Sequence, residues 1–570
     1  MHLSLLLFLL SLTLISSPPP SAAAPPQQYI EVTAPLLFDS LTPSCTLPLL
    51  SHSFANTTGH PPTNATYSSP PTNCTWSNAV LHFSAASNGS QPDRTAAVWL
   101  SGSELLRTTT AEPTADGIFW NFRKDVTRYA SLLRQSNLSL SVMLDNVLDD
   151  LHTGIFHVNV TFLYYDVVNT TDLAANTPLS LFRPDQNSVS LELNANPADL
   201  ILPISSAGDE GFWFKIESES DSVSHGIEIP ANTYRAVIEI YVSFHKNDAF
   251  WYTNPSDYYL EMNNLTTQRG HGAYREVLVK LDGNVIGSVI PFPVIYSGGI
   301  NPLFWEPLVS MGTFNLPSYE QELTPFLGML LDGNRHFLGI NVAAASSYWL
   351  VDANLHLWLD QNSSNVEAGP IKYTNPSSCV ERQAKFHELD GKFKIEGERK
   401  SEFSGWVNST AGNFTTYVYS KVEFENKIVF KHNGTSKSVK QEVKVVDKVE
   451  VKSALGHSVS NVSRERRYPL KLTTTAMPGS EKDSCLMTSE LDHSLKEEKK
   501  ENGDFKRKSE NRQKCRGWMF VGDGGILSGA AATSQSYHVK DSYGCYTRRV
   551  LAAGGSIKND THNCLCAAAA

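Results

Sequence analysis

Apolar and polar residues alternate along much of the chain. From Tyr234 to His245, Ala236, Ile238, Ile240, Val242 and Phe244 face one way and Arg235, Glu239, Tyr241, Ser243 and His245 the other. A period of two predicts a half-buried strand. Trp349, Val351, Ala353, Leu355, Leu357 and Leu359 alternate in the same way with Asp352, Asn354, His356 and Asp360. In His157–Phe162 the positions Val158, Val160 and Phe162, continued by Tyr164, share one face and leave Asn159 on the other. Turn dipeptides punctuate the pattern: Asp282-Gly283 between Val277–Leu281 and Val285–Ile290, and Asn433-Gly434 after Lys427–Lys431. Helical spacing is confined to short patches such as Ser131–Ser136. The pattern predicts an all-β chain of β-sandwiches.

Three cores follow from where the alternation loosens. A first sandwich is expected over 25–204, a second over 205–383 and a basic β-rich module over 384–570. Residues 494–516 hold no apolar run and are read as a charged solvent loop. The N-terminus, Met1-His2 followed by the apolar run Leu3–Ile15 and the small residues Ser21–Ala24, reads as a signal peptide over 1–24, although no Lys or Arg precedes the run. That run is too short to span a bilayer, and no later stretch is long enough.

Charge reinforces the division. The chain carries a net charge of −11, with 16 basic and 35 acidic residues before Ala384 and 31 and 23 from there on. The negative total disfavours a nucleic-acid partner, and the scattered lysines of the basic part read as a solvated face. Eight cysteines suit disulfides in an oxidising compartment. Cys45 closing on Cys74 would leave Cys379 to tie the first part to the second. Fourteen Asn-x-Ser/Thr sequons, from Asn56 to Asn559, point the same way. Arg464–Arg467 and Lys499-Lys500 are dibasic, either ordinary basic loops or sites at which a secretory protease would leave two associated chains.

The chain has no dinucleotide fingerprint, Walker loop, zinc-protease motif or nucleophile elbow. What it offers are carboxylates among aromatics, as carbohydrate chemistry needs: carboxylates move protons while aromatic faces stack on sugars. The densest segment is Ser243–Pro255, with His245, Asp248, Trp251 and Tyr252.

Tyr234–His245 followed by Asn-Asp-x-Phe-Trp-Tyr-x-Asn-Pro, Gly298-Gly299-Ile300-Asn301-Pro302-Leu303-Phe304-Trp305 and Asp93-Arg94-Thr95-Ala96-Ala97-Val98-Trp99 resemble the plant acid glycoamidases, the peptide N-glycanase A family. The resemblance is dense from Asp93 to Asp360. It implies two adjacent jelly-roll sandwiches with a site in the cleft between them. It also implies hydrolysis of the amide joining N-acetylglucosamine to asparagine in N-glycopeptides or unfolded glycoproteins, leaving aspartate, without metal or cofactor. Asp93 is then the catalytic carboxylate, held ionised by Arg94. Asp145 and Asp248 are further catalytic candidates, and His245, Trp251 and Arg275 line the cleft, Trp251 by stacking on sugar. One departure is Ala249, where the family carries Glu. The implied setting is secreted, vacuolar or cell-wall.

Each position also has a plainer reading: Asp93-Arg94 as a surface ion pair, Asp145 as a turn, Trp251 as core and His245 as a strand end. Two other functions stay open, a silent glycan-binding sandwich suggested by Ala249 and a glycosidase with two carboxylates astride a sugar–sugar bond.

Overall fold

The computed structural model describes residues 25–166, 191–206, 210–374, 376–479, 484–522, 525–541 and 544–564, apart from residues 37 and 40. The expected signal peptide, the sequon at Asn169 and Cys566 lie outside the described residues. The chain is all-β, as its alternation predicts.

The first sandwich is built from β1 (Gln27–Gln28), β2 (Cys45–Phe54), β3 (Thr63–Tyr67), β4 (Asn78–Ser87), β5 (Thr95–Leu100), β6 (Ser103–Thr109), β7 (Ile118–Asp125), β8 (Leu138–Leu144) and β9 (Phe156–Tyr165). One sheet has the order β1-β7-β4-β9-β2 and the other β3-β8-β5-β6. Val158, Val160, Phe162 and Tyr164 point into its core, and Asn159 is exposed.

The second sandwich uses β10 (Leu200–Ile204), β11 (Phe214–Ile216), β12 (Val223–Ile227), β13 (Thr233–Phe244), β14 (Glu276–Leu281), β15 (Asn284–Val289), β16 (Ser318–Glu322), β17 (His336–Ala343) and β18 (Trp349–Leu359). Its sheets run β10-β18-β13-β16, with β11 also on β18, and β12-β17-β14-β15. In both sandwiches the chain switches between sheets in jelly-roll fashion: β9 returns between β4 and β2 in the first, and β18 returns between β10 and β13 in the second. β10 pairs with β18, so it opens the second sandwich rather than closing the first.

β13 departs from the half-buried expectation, because both its faces are covered. Ile238 and Ile240 enter the core of the second sandwich, while Val237 joins that of the first. The polar face that reads as solvent-facing is the interface. There Arg107 Nε and Nη2 donate to Glu104 at 2.5 and 2.7 Å, and Arg107 Nη1 donates to Ser243 Oγ at 2.8 Å and to the Leu350 carbonyl at 3.0 Å. Trp99 Nε1 donates to Asp352 at 2.8 Å, and Asn354 bonds the Glu104 backbone at both ends of its amide. Burial and the Glu104 charge push the Asp352 carboxyl far above the usual carboxylate range. A second cluster joins Arg128 and Tyr129 to Glu239.

Twelve strands from Glu367–Thr374 to Ser556–Asn563 form one further sheet. The boundary read at 383/384 falls inside the strand Ser378–His387, because the shift in charge marks an exposed sheet face and not a break in the chain's pairing. Nor does this sheet hold a core of its own: Phe393, Ile395, Phe424 and Val443 share one cluster with Ile238, Trp251 and Tyr274.

Residues 494–516 are not a loop. They lie in the hairpin Cys485–Glu501 and Asp504–Gly522, where Lys496 faces Glu510, Glu498 faces Lys508 and Glu490 faces Arg516. Opposite charges across the ladder replace the missing apolar run. The dibasic pairs are likewise inside paired strands. Arg464 bonds Glu192, Arg466 bonds Glu497 and Lys499 bonds Glu192, so no free chain is offered to a protease there. Cys45 is bonded to Cys74, whereas Cys379 is free and exposed and makes no tie.

Removing one member of a buried pair strands the other's charge. Glu104→Ala is expected to lower stability by about 3–5 kcal/mol in urea unfolding. A loss below about 1 kcal/mol, the value of an exposed pair, would contradict the reading of Arg107 as fully desolvated.

Candidate active site

Three strand ends of the first sandwich meet at one edge. β5 starts at Thr95, directly after Asp93-Arg94, and Thr95 pairs with Thr109 at the end of β6. The ladder runs on one residue further, since the Arg94 backbone exchanges hydrogen bonds with Thr110, its N–H to Oγ1 and its carbonyl from the Thr110 N–H, both at 2.9 Å. That extension delivers Glu112. On the other side Ala96 pairs with Leu144, and the Asp145 N–H donates to the Thr95 carbonyl. Asp93, Glu112 and Asp145 thus share an edge, and all three are half-buried.

The second sandwich meets this edge through the long connection between β15 and β16. Phe314 stacks on Trp120 with centroids 5.4 Å apart, and Ser297 Oγ donates to the Thr110 carbonyl at 3.2 Å. The Gly298 N–H then donates to Asp93 Oδ1 at 3.1 Å. A methyl group on Gly298 would stand 2.5 Å from Glu112 Oε1 and 3.1 Å from Asp93 Oδ1. Those two oxygens are no farther apart than the two distances together. Gly299 is equally confined, by the Tyr296 carbonyl and by the Phe250 ring at 2.9 Å. The next residue, Ile300, is held at φ 67, a costly conformation for a β-branched side chain. Asp93 and the loop after His245 therefore converge through Gly298-Gly299.

His245 ends β13. Its Nε2 is 2.9 Å from Ser243 Oγ, and its ring lies between Tyr348 and Tyr296, stacked at 4.9 and 6.3 Å. Burial and the nearby Arg107 push its pKa down to about 3. The half-buried Tyr348 carries Lys215 and Lys246 over its ring, each 5.0 Å from the centroid.

The carboxylates are unlike one another. Burial raises Asp93, opposed by the Gly298 N–H and the charge of Arg94. Glu112 is pushed up to about 7 by burial and by the charge of Asp93. Glu306, half-buried next to the cis Glu306-Pro307 bond, is raised by burial alone. Sequence reasoning missed both Glu112 and Glu306. The signal for Glu112 is the Thr108-Thr109-Thr110 run, which continues a strand to the edge where Asp93 begins one.

Four expectations are corrected. Trp251 is fully buried against Phe244 and Phe424, so it has no face for a sugar. Asp248 and Arg275 are fully buried and bonded to each other at 2.7 Å. Ser346 and Trp349 also donate to Asp248, so the pair clamps the loop from inside and neither residue lines the cleft. Arg94 does not grip Asp93; its Nη2 donates to Gln91 at 2.8 Å, and its charge is shared between Asp145 and Asp93.

The C-terminal sheet supports the site from behind. Thr533 Oγ1 donates to the Phe304 carbonyl at 2.7 Å, and Gln27 Nε2 donates to that of Gly555, at a hairpin tip beside Glu306. Among the described residues no group of three or more His, Cys, Asp or Glu is arranged to hold a metal ion. A cavity of about 790 Å³ on this sheet, lined by Glu396, Glu398, Glu425 and Lys444, includes none of the groups above.

Two jelly rolls joined by a buried polar interface bring half-buried carboxylates together where their edges meet. Residues 31–376 match the family model for peptide N-acetyl-β-D-glucosaminyl asparaginase amidase A. The chain is 38% identical over 536 residues to the peptide-N4-(N-acetyl-β-glucosaminyl)asparagine amidase A of Prunus dulcis, across 93% of this chain and 92% of that protein. It belongs to this family. Among solved structures it is similar to PNGase F of Flavobacterium meningosepticum, at 12% identity and a TM-score of 0.34 over 55% of this chain and 96% of that one. PNGF-II gives the same identity and score over 55% and 66%. Similarity this weak carries no argument, and the architecture rests on the strand pairing above.

Gly298→Ala is expected to fold and to lose most activity, because its methyl would displace the Asp93 and Glu112 carboxylates. Wild-type turnover in that variant would show the carboxylates are not held there. An NMR titration should find the His245 imidazole neutral at pH 5, with a midpoint near 3; a midpoint near 6.5 would mean the ring is solvated.

Proposed function

We infer that this chain is a glycoamidase: it hydrolyses the amide between N-acetylglucosamine and the asparagine side chain of N-glycopeptides, converting asparagine to aspartate. Family membership supplies the reaction class. The observation that carries the site assignment is Asp93, half-buried, oriented by the Gly298 N–H and standing where both sandwiches meet. Asp93 takes a proton from water as the oxygen attacks the side-chain carbonyl carbon. Arg94 keeps the edge from becoming too negative for a carboxylate to ionise. Tyr348, half-buried and backed by the neutral His245 ring, replaces Trp251 as the aromatic nearest the sugar, which reaches its ring by displacing the Lys215 and Lys246 ammonium groups. A cleft that must admit an asparagine side chain and its first sugars together favours unfolded glycopeptides.

The setting proposed is the secretory pathway or beyond. The Cys45–Cys74 bridge supports it, as do the sequon asparagines: every described one is exposed except Asn461, which is half-buried. Among the described residues no helix is long and apolar enough to cross a membrane.

A second reading, a silent glycan-binding protein, rests on Ala249, half-buried where the loop after His245 turns. One experiment separates the two. After incubation with a denatured N-glycopeptide, the wild type should yield peptide bearing aspartate at the former glycosylation site. Asp93→Ala should be folded and roughly 10²–10⁴-fold slower. Binding without conversion would select the silent reading, and gain of conversion on Ala249→Glu would confirm it. Peptide retaining one N-acetylglucosamine would mark a glycosidase.

A further inference from the structure

Glu112 differs from four well-buried glutamates of the two sandwiches and resembles Glu31, which burial likewise pushes up to about 7 and which only backbone N–H groups hold. Glu104, Glu239, Glu276 and Glu322 each bond an arginine, while among the described residues no Lys, Arg or His pairs with Glu112. Its neighbours are of the opposite kind. Asp93 faces it from the start of β5, with the Asp93 backbone N–H directed at the carboxylate. Glu306 faces it from the segment after Pro302–Trp305, and the Tyr29 hydroxyl from the N-terminal segment. Arg94 lies on this edge, and its charge is drawn to Asp145, Asp93 and Asp149. Two neighbouring carboxylates in a partly desolvated edge do not both ionise readily, so one retains a proton. Asp93 has the Gly298 N–H and the charge of Arg94 to favour its ionised form, whereas Glu112 has the Asp93 N–H and no cation.

We propose that Glu112 is a catalytic residue, the acid that delivers a proton to the departing glycosylamine nitrogen. The proposal rests on the glycoamidase reading and names a residue for its second proton transfer. Amide cleavage needs two such transfers, because an amine anion is too poor a leaving group to depart unprotonated. Asp93 removes one proton from water while the oxygen bonds to the side-chain carbonyl carbon. As the tetrahedral centre collapses, the carbon–nitrogen bond breaks with its electron pair on nitrogen, and Glu112 gives its proton to that nitrogen. The products are the aspartic side chain and the 1-amino sugar. Asp93 is left protonated and Glu112 ionised, and transfer of the proton between these neighbours restores both. Water supplies every atom added. Gly298 is indispensable in this scheme, since any side chain there would stand between the two carboxylates.

The test uses Glu112→Gln, close in size and unable to give a proton, on the full chain, with Glu112→Asp as the conservative companion. The expected result is a kcat roughly 10²–10⁴-fold lower with KM little changed. The fall in rate that the wild type shows as pH rises through about 7 should vanish from the residual rate, and Glu112→Asp should restore part of kcat. A wild-type-like kcat in Glu112→Gln, or a residual rate that still falls near neutrality, would overturn the assignment. Infrared difference spectroscopy reads the proton without turnover. The wild type should show a carboxylic-acid C=O band that titrates near 7 and is missing from Glu112→Gln. Glycan release by a wild type that lacks this band overturns the role of Glu112, whereas the band without any glycan release overturns the glycoamidase reading.

Discussion

The architecture depends on charge buried between two sandwiches. Glu104 and Arg107, both wholly inaccessible, form a two-pronged pair at the end of the first sandwich and reach Ser243, Leu350 and Asp352 on the second. Apolar packing alone would let two sheets slide over one another at little cost. Directional bonds across the interface admit one register, because every other leaves the Arg107 Nη1 donor and the Asp352 carboxyl desolvated without their partners. The same Arg107 governs the site chemically. Through Ser243 it sits behind His245, and its field helps keep that imidazole neutral.

From that register the rest of the cleft follows. The connection between β15 and β16 is pinned to the first sandwich by the Trp120–Phe314 stack and by Thr313, which accepts the Thr109 N–H at 2.8 Å. This brings Gly298 between two carboxylates, where bulk would not fit. The C-terminal sheet holds the other side of the connection, with Gln513 bonded to the Val309 carbonyl and the Met311 N–H. That sheet shares its core with the second sandwich, so it is a wall of the catalytic body and not an appended module.

Strand positions and the all-β architecture were legible in the alternation, since a period of two needs no tertiary context. What alternation does not distinguish is water from a polar interface. The polar faces of β13 and β18 carry Arg235, Glu239, Tyr241, Ser243 and His245, and Asp352, Asn354 and His356, without one lysine. The hairpin over 494–516 was missed for a related reason: its stabilisation lies in charge pairs across two strands, which one strand's composition does not reveal. At the proposed site, Asp93 stands out in the sequence through its Asp-Arg-Thr motif. Trp251, Asp248 and Arg275 drew notice through their residue types, which suit a buried clamp as well as a binding groove. Glu112 was hidden because its relation to Asp93 passes through a strand register, not through proximity in sequence.

Hydrolysis of a defined N-glycopeptide in oxygen-18 water tests the central claim most directly. If water activated by Asp93 attacks the side-chain carbonyl, the new aspartate carries one labelled oxygen, and Asp93→Ala forms this labelled peptide roughly 10²–10⁴-fold more slowly. Glycan removed with no label in the peptide would contradict the account, because the bond cut would then lie within the sugar and not at the amide.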